Sequence, residues 1–417
     1  MTFLSLGLID PLLRTLDALG YSTPTPVQAK AMPAVLAGRD LMAAAQTGTG
    51  KTGAFAIPLL QRLTMEGPQV APKSVRVLVL VPTRELAEQV YRSFALYGGN
   101  LPLRSFVAYG GVAIEPQLSK LRKGLDVLVA TPGRLLDLLS QDAVKFDQLQ
   151  TLVLDEADRM LDLGFSRELN AIFKVLPIQR QTLLFSATFS EPIRALAGAL
   201  LKQPLCIEVS ARNSTVKSVK QSVITVDKKR KAELFCHLLK KKRWGQVLVF
   251  VKTRRSVDQL VATLAEQQIS ADGIHGDKTQ PNRLRALARF KAGEVQVLVA
   301  TDVAARGLDI DALPHVVNFD LPSVAEDYIH RIGRTGRAGA SGEAISLVCA
   351  DEVDLLAALE ALTRQALRRH EEPGFEAEHR VPDSGASAAA IKKPAREGAA
   401  KPAKTANTAQ TRKRFYK

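Results

Sequence analysis

Cysteine is scarce in this chain: three residues in 417 (Cys206, Cys236, Cys349), far apart and without a CxxC pair. They cannot form a disulfide framework or a cysteine-based zinc site, and they suit a reducing compartment. The six histidines (His237, His275, His315, His330, His370, His379) show no ligand spacing. No apolar run reaches the ~18–20 residues of a membrane span. The apolar start, Met1–Leu13, lacks the basic region and small-residue cleavage site of a signal peptide, so a cytoplasmic protein is expected. Its leucines (Leu8, Leu12, Leu16, Leu19) recur at the spacing of an amphipathic helix. Repeats with a period of 20–50 residues are also missing, which excludes a solenoid. Nothing indicates an oligomer, so a monomer is expected. Acid is in shorter supply than base: 42 Asp plus Glu against 57 Lys plus Arg, a net charge of +15. That imbalance favours a polyanionic partner.

What is present is material for folded cores, with 46% hydrophobic and 24% charged residues. Short aliphatic runs alternate with helix-compatible segments. The first set is 40–45, 76–81, 106–109, 126–130, 151–154 and 181–185, and the second is 221–226, 246–251, 295–300, 315–318 and 344–348. Continuous rather than alternating apolarity predicts strands buried on both faces of a parallel sheet. Two α/β domains in tandem follow, 1–209 and 219–372, joined near 210–218. From 373 the composition shifts. The last 27 residues carry nine Lys or Arg against the single acid Glu397, a local charge of about +8. Such a segment buries too little to offset its ordering entropy and is expected to be a disordered basic tail, either a nucleic-acid contact or a solubilising appendage.

Ala45-Gln46-Thr47-Gly48-Thr49-Gly50-Lys51-Thr52 lies between an expected strand and an expected helix. This is a P-loop in its required context, although Ala45 stands where the common pattern has its first glycine. Backbone N–H groups and the helix start would face phosphates, Lys51 would reach the β/γ-phosphates, and Thr52 could ligate Mg²⁺. About a hundred residues on, the run Leu152-Val153-Leu154 ends in Asp155-Glu156-Ala157-Asp158. Alone, those acids would more often be a helix start. Beside a P-loop, Asp155 is expected to hold Mg²⁺ and Glu156 to orient or deprotonate the attacking water. In the second half, His330-Arg331-Ile332-Gly333-Arg334-Thr335-Gly336-Arg337 sets three arginines at intervals of three. Arg334 and Arg337 would act as arginine fingers supplied across a cleft, which ties ATP hydrolysis to domain closure.

At these residues the chain resembles the DEAD-box ATP-dependent RNA helicases of superfamily two, and looks most like their compact bacterial RhlE-type members. The resemblance covers about residues 1–375, with every expected motif in order. It implies two RecA-like domains, ATP and Mg²⁺ as cofactors, RNA as partner, and local unwinding of short duplexes. Phe3 and Gly20–Gln28 match the Q motif, so Gln28 would read adenine, Tyr21 would stack on it and Phe3 would pack behind. The nucleotide set is then Phe3, Tyr21, Gln28, Gln46, Thr47, Gly48, Thr49, Gly50, Lys51, Thr52 and, on the ribose, Asp309. Pro82, Thr83, Arg84, Gly111, Thr131 and Arg134 in the first domain, with Arg283 and Thr301 in the second, match RNA-contacting motifs. Such contacts position a phosphate backbone and carry no base readout. In isolation each would pass for ordinary turn chemistry. Ser186-Ala187-Thr188 resembles the segment that couples hydrolysis to unwinding, with Ser186 and Thr188 bridging toward Asp155 and Asp158, and His330 supporting inter-domain hydrogen bonds.

Two other functions use the same residues: an ATP-switched RNA clamp, and a double-stranded DNA translocase, for which no accessory domain is visible. The family setting also implies ribonucleoprotein or RNA-decay partners.

Overall fold

The computed structural model describes residues 2–45, 49–67, 70–187, 189–208, 219–305, 310, 313–336, 342–379 and 381–382. The first sheet contains β1 (Leu41–Ala44), β2 (Val75–Leu80), β3 (Ser105–Ala108), β4 (Leu125–Ala130), β5 (Thr151–Leu154), β6 (Gln181–Ser186) and β7 (Leu205–Glu208), in the order β3-β4-β2-β5-β6-β1-β7. The second contains β8 (Val219–Thr225), β9 (Val247–Phe250), β10 (Ala271–Ile274), β11 (Val297–Ala300), β12 (His315–Asn318), β13 (Gly342–Val348) and β14 (Arg368–His370), in the order β10-β11-β9-β12-β13-β8-β14. Counted from each sheet's own first strand, the two orders are identical. Every recorded strand pair is parallel. The chain is therefore two RecA-like α/β domains with one topology, although no repeat is visible in the sequence.

The continuous apolar runs become two-faced strands. Along β2 and β4, Val77, Val79, Val127 and Val129 join the core on one face, while Leu78, Leu80 and Leu128 join the core on the other. Helices cover both faces, as an all-parallel sheet requires. In such a sheet all strands end on one edge, and the loops there carry the chemistry. The N-terminal leucines behave as their spacing predicts: Leu8, Leu12 and Leu16 are buried in the first domain's core, on and beside the helix Asp10–Ala18.

Three strands escape the hydrophobic pattern. β10 reads Ala-Asp-Gly-Ile and β14 reads Arg-Arg-His. Both lie at sheet edges, where one side of the strand faces no neighbour and apolarity is not demanded. β7, the other edge of the first sheet, is half exposed for the same reason.

The tail boundary expected at 373 falls inside the second domain. Phe375 is only 7% exposed and packs in the core beneath His237 and Arg230. Glu372 pairs with His237 and Lys241. Asp227 accepts the backbone N–H groups of Glu378 and His379 at 2.9 and 3.3 Å, and Arg369 donates to the Pro382 carbonyl. The folded unit continues to Pro382, and the basic segment from 383 lies outside the described residues.

Candidate active site

β1 delivers the chain into the P-loop, and the helix Lys51–Met65 begins on its far side. Gly50 sits at φ 91°, the left-handed region open to glycine. A Cβ there would stand 2.7 Å from Gln28 Nε2 and 2.9 Å from Thr25 Oγ1, so the loop and the Q motif are packed backbone to side chain. Gln28 is held at both ends of its carboxamide: Oε1 accepts from Thr25 N at 2.9 Å, and Nε2 donates to the Gly50 carbonyl at 3.1 Å. Each amide atom keeps a further valence for a ligand. Tyr21 is exposed with its ring 6.4 Å from that of Tyr97, and Phe3 is buried in the core behind. Gln46, Thr47 and Gly48 lie outside the described residues.

Lys51 is 6% exposed, and its Nζ has no hydrogen-bond partner among the described residues. A buried ammonium without a partner is costly and marks a place where an anion belongs. Asp155, at the end of β5, is buried, and burial pushes its carboxyl up to about 6 against the pull of Lys51. A carboxylate so stripped of water gains most from a cation. Thr52 follows Lys51 on the helix start and is half-buried. These residues fit a nucleotide with its divalent metal: a cradle closed to any Cβ, an ammonium for phosphate, and a hydroxyl and a carboxylate as hard oxygen ligands.

Glu156 caps the helix Ala157–Asp162 with φ 54° and ψ 52°, a left-handed backbone on a non-glycine residue. Such strain collects at functional sites. Its carboxyl is buried, which pushes its pKa up, yet the net direction is below the ordinary carboxylate range. Arg159, Lys51, Arg334 and His330 overcome the burial, in that order. The last two belong to the second domain, so the acidic box lies in the field of both. Arg334 is 6% exposed. Arg337 and Asp309 lie outside the described residues.

The segment after β6 meets the acidic box through the backbone: Ala187 N donates to Asp158 Oδ2 at 2.9 Å. Ser186 is fully buried at the strand end, and Thr188 lies outside the described residues.

Among the residues expected to face RNA, three act visibly as scaffolding. Thr83 caps the helix Arg84–Tyr97 by accepting Leu86 N, and Arg84 lies against Gly111, whose Cβ would strike its guanidinium. Arg134 is buried, donating to the Val112 carbonyl at 2.9 Å and pairing with Asp137 at 3.4 Å, so it props the glycine loop. Pro82 and Thr131 are buried at strand ends, and Thr301 caps the helix Asp302–Ala305 with its carbonyl. Arg283 pairs with Glu85 of the other domain at 2.9 Å, and Glu85 also accepts from Gln280 Nε2 at 2.9 Å. Arg159 donates to the Val303 carbonyl at 3.2 Å. The two domains are thus joined at two places, a closed arrangement.

Sequence reasoning missed Glu85, Arg159, Gln280 and the structural role of Arg331. The Arg331 side chain is 2% exposed and donates twice to Asp302, at 2.6 Å each, to Asn318 at 3.0 Å and to the Asp320 carbonyl at 2.6 Å. Of the three evenly spaced arginines, this one builds the domain. His330 lies 3.8 Å from Asp327 and is the second of the two second-domain groups that lower the Glu156 pKa.

Residues 25–196 match the DEAD/DEAH box helicase family, and residues 230–339 match the helicase conserved C-terminal domain. The DEAD-box ATP-dependent RNA helicase CshA of Geobacillus kaustophilus is 41% identical over 372 residues, 89% of this chain and 79% of that protein. The chain belongs to the DEAD-box ATP-dependent RNA helicases. The protein of the same name from Bacillus subtilis is 40% identical over 373 residues, 89% of this chain and 74% of that one. Among solved structures, S. cerevisiae Dbp5 bound to RNA and ADP BeF3 matches with a TM-score of 0.77 at 30% identity, covering 89% of this chain and 95% of that one. A DEAD box protein from Methanococcus jannaschii is 35% identical, with a TM-score of 0.52 over 89% of this chain and 99% of that one. The DEAD-box sequence set thus meets a closed, two-sheet arrangement in this chain. Among the described residues no helix is long and apolar enough to cross a membrane.

Proposed function

We propose that this helicase is an RNA-stimulated ATPase whose hydrolytic site is completed by the second domain, and that closure on one RNA strand separates short duplexes locally. The observation that carries the reading is Glu156, whose carboxyl lies under the pull of Lys51 and Arg159 from its own domain and of Arg334 and His330 from the other.

Lys51 holds the β/γ-phosphates, Gln46, Thr47, Gly48, Thr49, Gly50 and Thr52 complete the phosphate-binding set, Gln28 and Tyr21 take the adenine, and Asp309 takes the ribose. Thr52 and Asp155 would hold Mg²⁺, which when bound would neutralise phosphate charge. Glu156 orients a water on the γ-phosphorus and accepts its proton. Arg334 and Arg337 stabilise the negative charge on the transferred group, and ADP leaves on the far side. Pro82, Thr83, Arg84, Gly111, Thr131, Arg134, Arg283 and Thr301 form the RNA face, several of them as supports of exposed backbone. Discrimination from DNA there would rest on the 2′-OH. Within the family we place the chain with the compact RhlE-type members, as a monomer in the cytoplasm that meets ribonucleoprotein or RNA-decay partners.

Steady-state ATP hydrolysis without nucleic acid, with RNA and with DNA of matched sequence tests this reading. Stimulation by RNA alone is expected. A high rate without nucleic acid would show that Arg334 is productive in the free enzyme and would remove closure as the switch. A long-lived RNA clamp is the second use of the same closed state, and multiple-turnover displacement of a short duplex separates the two.

The basic tail is proposed as a sequence-independent anchor. Deleting the residues after Pro382 is expected to weaken RNA binding and flatten its salt dependence, each lost phosphate contact lowering the log–log slope by about 0.7. An unchanged slope would leave it a solubilising appendage.

A further inference from the structure

Arg159 follows the acidic box directly, and its guanidinium touches two elements from different domains. Nη1 donates to Glu156 Oε2 at 3.3 Å and Nη2 donates to the Val303 carbonyl at 3.2 Å. The residue is 6% exposed, so neither contact is a loose surface pairing. We propose that Arg159 is a positioning residue that reads domain closure, fixing the Glu156 carboxylate for hydrolysis while the Val303 carbonyl engages its other amino group. The assignment rests on the reading that Glu156 activates the attacking water.

Glu156 needs such a hold. Its left-handed backbone projects the side chain from the N-cap of a short helix, and the first ion-pair partner acting on its carboxyl is Arg159. Arg159 in turn needs a second contact, because a guanidinium anchored at one corner still pivots. Its planar fork can bridge two acceptors in fixed geometry, which a single ammonium cannot do.

The acceptor is well placed to carry information. Val303 lies in the four-residue helix Asp302–Ala305, and that helix is fixed from both sides. The Thr301 carbonyl accepts the N–H groups of Ala304 and Ala305. Asp302 is gripped by both Nε and Nη2 of Arg331, which also binds Asn318 and stacks over Phe250 at 4.9 Å. A shift at Thr301, a residue on the proposed RNA face, therefore moves the Val303 carbonyl as part of one rigid piece. Thr301, the short helix, Val303, Arg159 and Glu156 form a contiguous chain from RNA to the attacking water, and the domain interface is its two-state element.

The test compares the full-length wild type with R159K and R159Q. It measures hydrolysis with and without RNA, KM for ATP, and RNA affinity in the presence of ADP–BeF3. R159K keeps a positive charge beside Glu156 and loses the bridge. Its RNA-stimulated kcat is expected to fall about tenfold, as a catalytic group slightly misplaced would. KM and RNA affinity should stay within about threefold, and the RNA-free rate should fall less, so the stimulation ratio collapses. R159Q is expected to fall further. Equal losses with and without RNA would mark Arg159 as merely structural and overturn the proposal, as would an R159K stimulation ratio equal to the wild type's. A wild type that RNA fails to stimulate would instead overturn the functional reading itself.

Discussion

Glu156→Gln is expected to slow RNA-stimulated ATP turnover by about a thousandfold, within the range of general acid–base contributions, while leaving nucleotide affinity within about threefold. The substitution is nearly isosteric. Gln can still meet Arg159 through its amide oxygen, so the left-handed turn at the start of the helix Ala157–Asp162 has no new reason to rearrange. What disappears is a negative charge aimed at a water, in a place where Arg159, Lys51 and Arg334 keep that charge present at neutral pH. A carboxylate held below its usual range is a weak proton sink that stays ionised and can keep accepting from a water. Its larger contribution is therefore orientation of the water, with the proton accepted as phosphate charge develops. Binding is carried elsewhere, by the Lys51 ammonium, which has no hydrogen-bond partner among the described residues, and by the Gln28–Gly50 contact. Single-turnover hydrolysis and fluorescent-nucleotide binding, both with saturating RNA, give the two readings separately. A hydrolysis rate within tenfold of the wild type would remove Glu156 from the chemistry.

How far such a site can be read in a sequence depends on where each residue's partners lie. Lys51, Asp155 and Glu156 are legible because their signals are local: each follows an apolar strand, and strand ends are where a parallel sheet gathers its ligands. Gln28 is half legible. Its place in the first turn of a helix is visible in Thr25-Pro26, whereas its bond to Gly50 depends on how the Q motif folds back on the P-loop. Glu85 and Gln280 sit in segments that resemble family motifs, yet nothing local marks them as each other's partners. They stand 195 positions apart, and only the approach of two separately folded sheets brings them to 2.9 Å. Arg283 shows the opposite difficulty. Its motif assigns it to RNA, and in the closed arrangement its charge also meets Glu85 across the cleft. The identical strand order of the two sheets was hidden for a related reason: β10 and β14 are too polar to register as strands, and the register of their neighbours puts them there.

Arg331→Met is expected to destabilise the second domain by about 3–5 kcal/mol, the scale for breaking a buried ion pair from one side. For a unit of this size that lowers the midpoint of thermal unfolding by roughly 10 °C. The sequence alone groups Arg331 with Arg334 and Arg337, and their fates differ by direction. Arg334 acts on Glu156 across the cleft, whereas Arg331 points back into its own domain. There it ties the end of β12 to the helix after β11 through Asn318, the Asp320 carbonyl and both oxygens of Asp302. Methionine fills much of the volume over Phe250 and satisfies none of these acceptors. The cost is that of stranded acceptors, so removing one should restore stability: adding Asp302→Leu is expected to recover a measurable part of the loss. Activity should not return with stability, because the Val303 carbonyl would no longer be held at the height where Arg159 meets it. Thermal unfolding of the full chain, paired with RNA-stimulated hydrolysis, checks both halves. A midpoint lowered by less than about 2 °C would mean the buried guanidinium is dispensable to the fold. Full activity in the restabilised double variant would mean that the helix carrying Val303 needs no anchor.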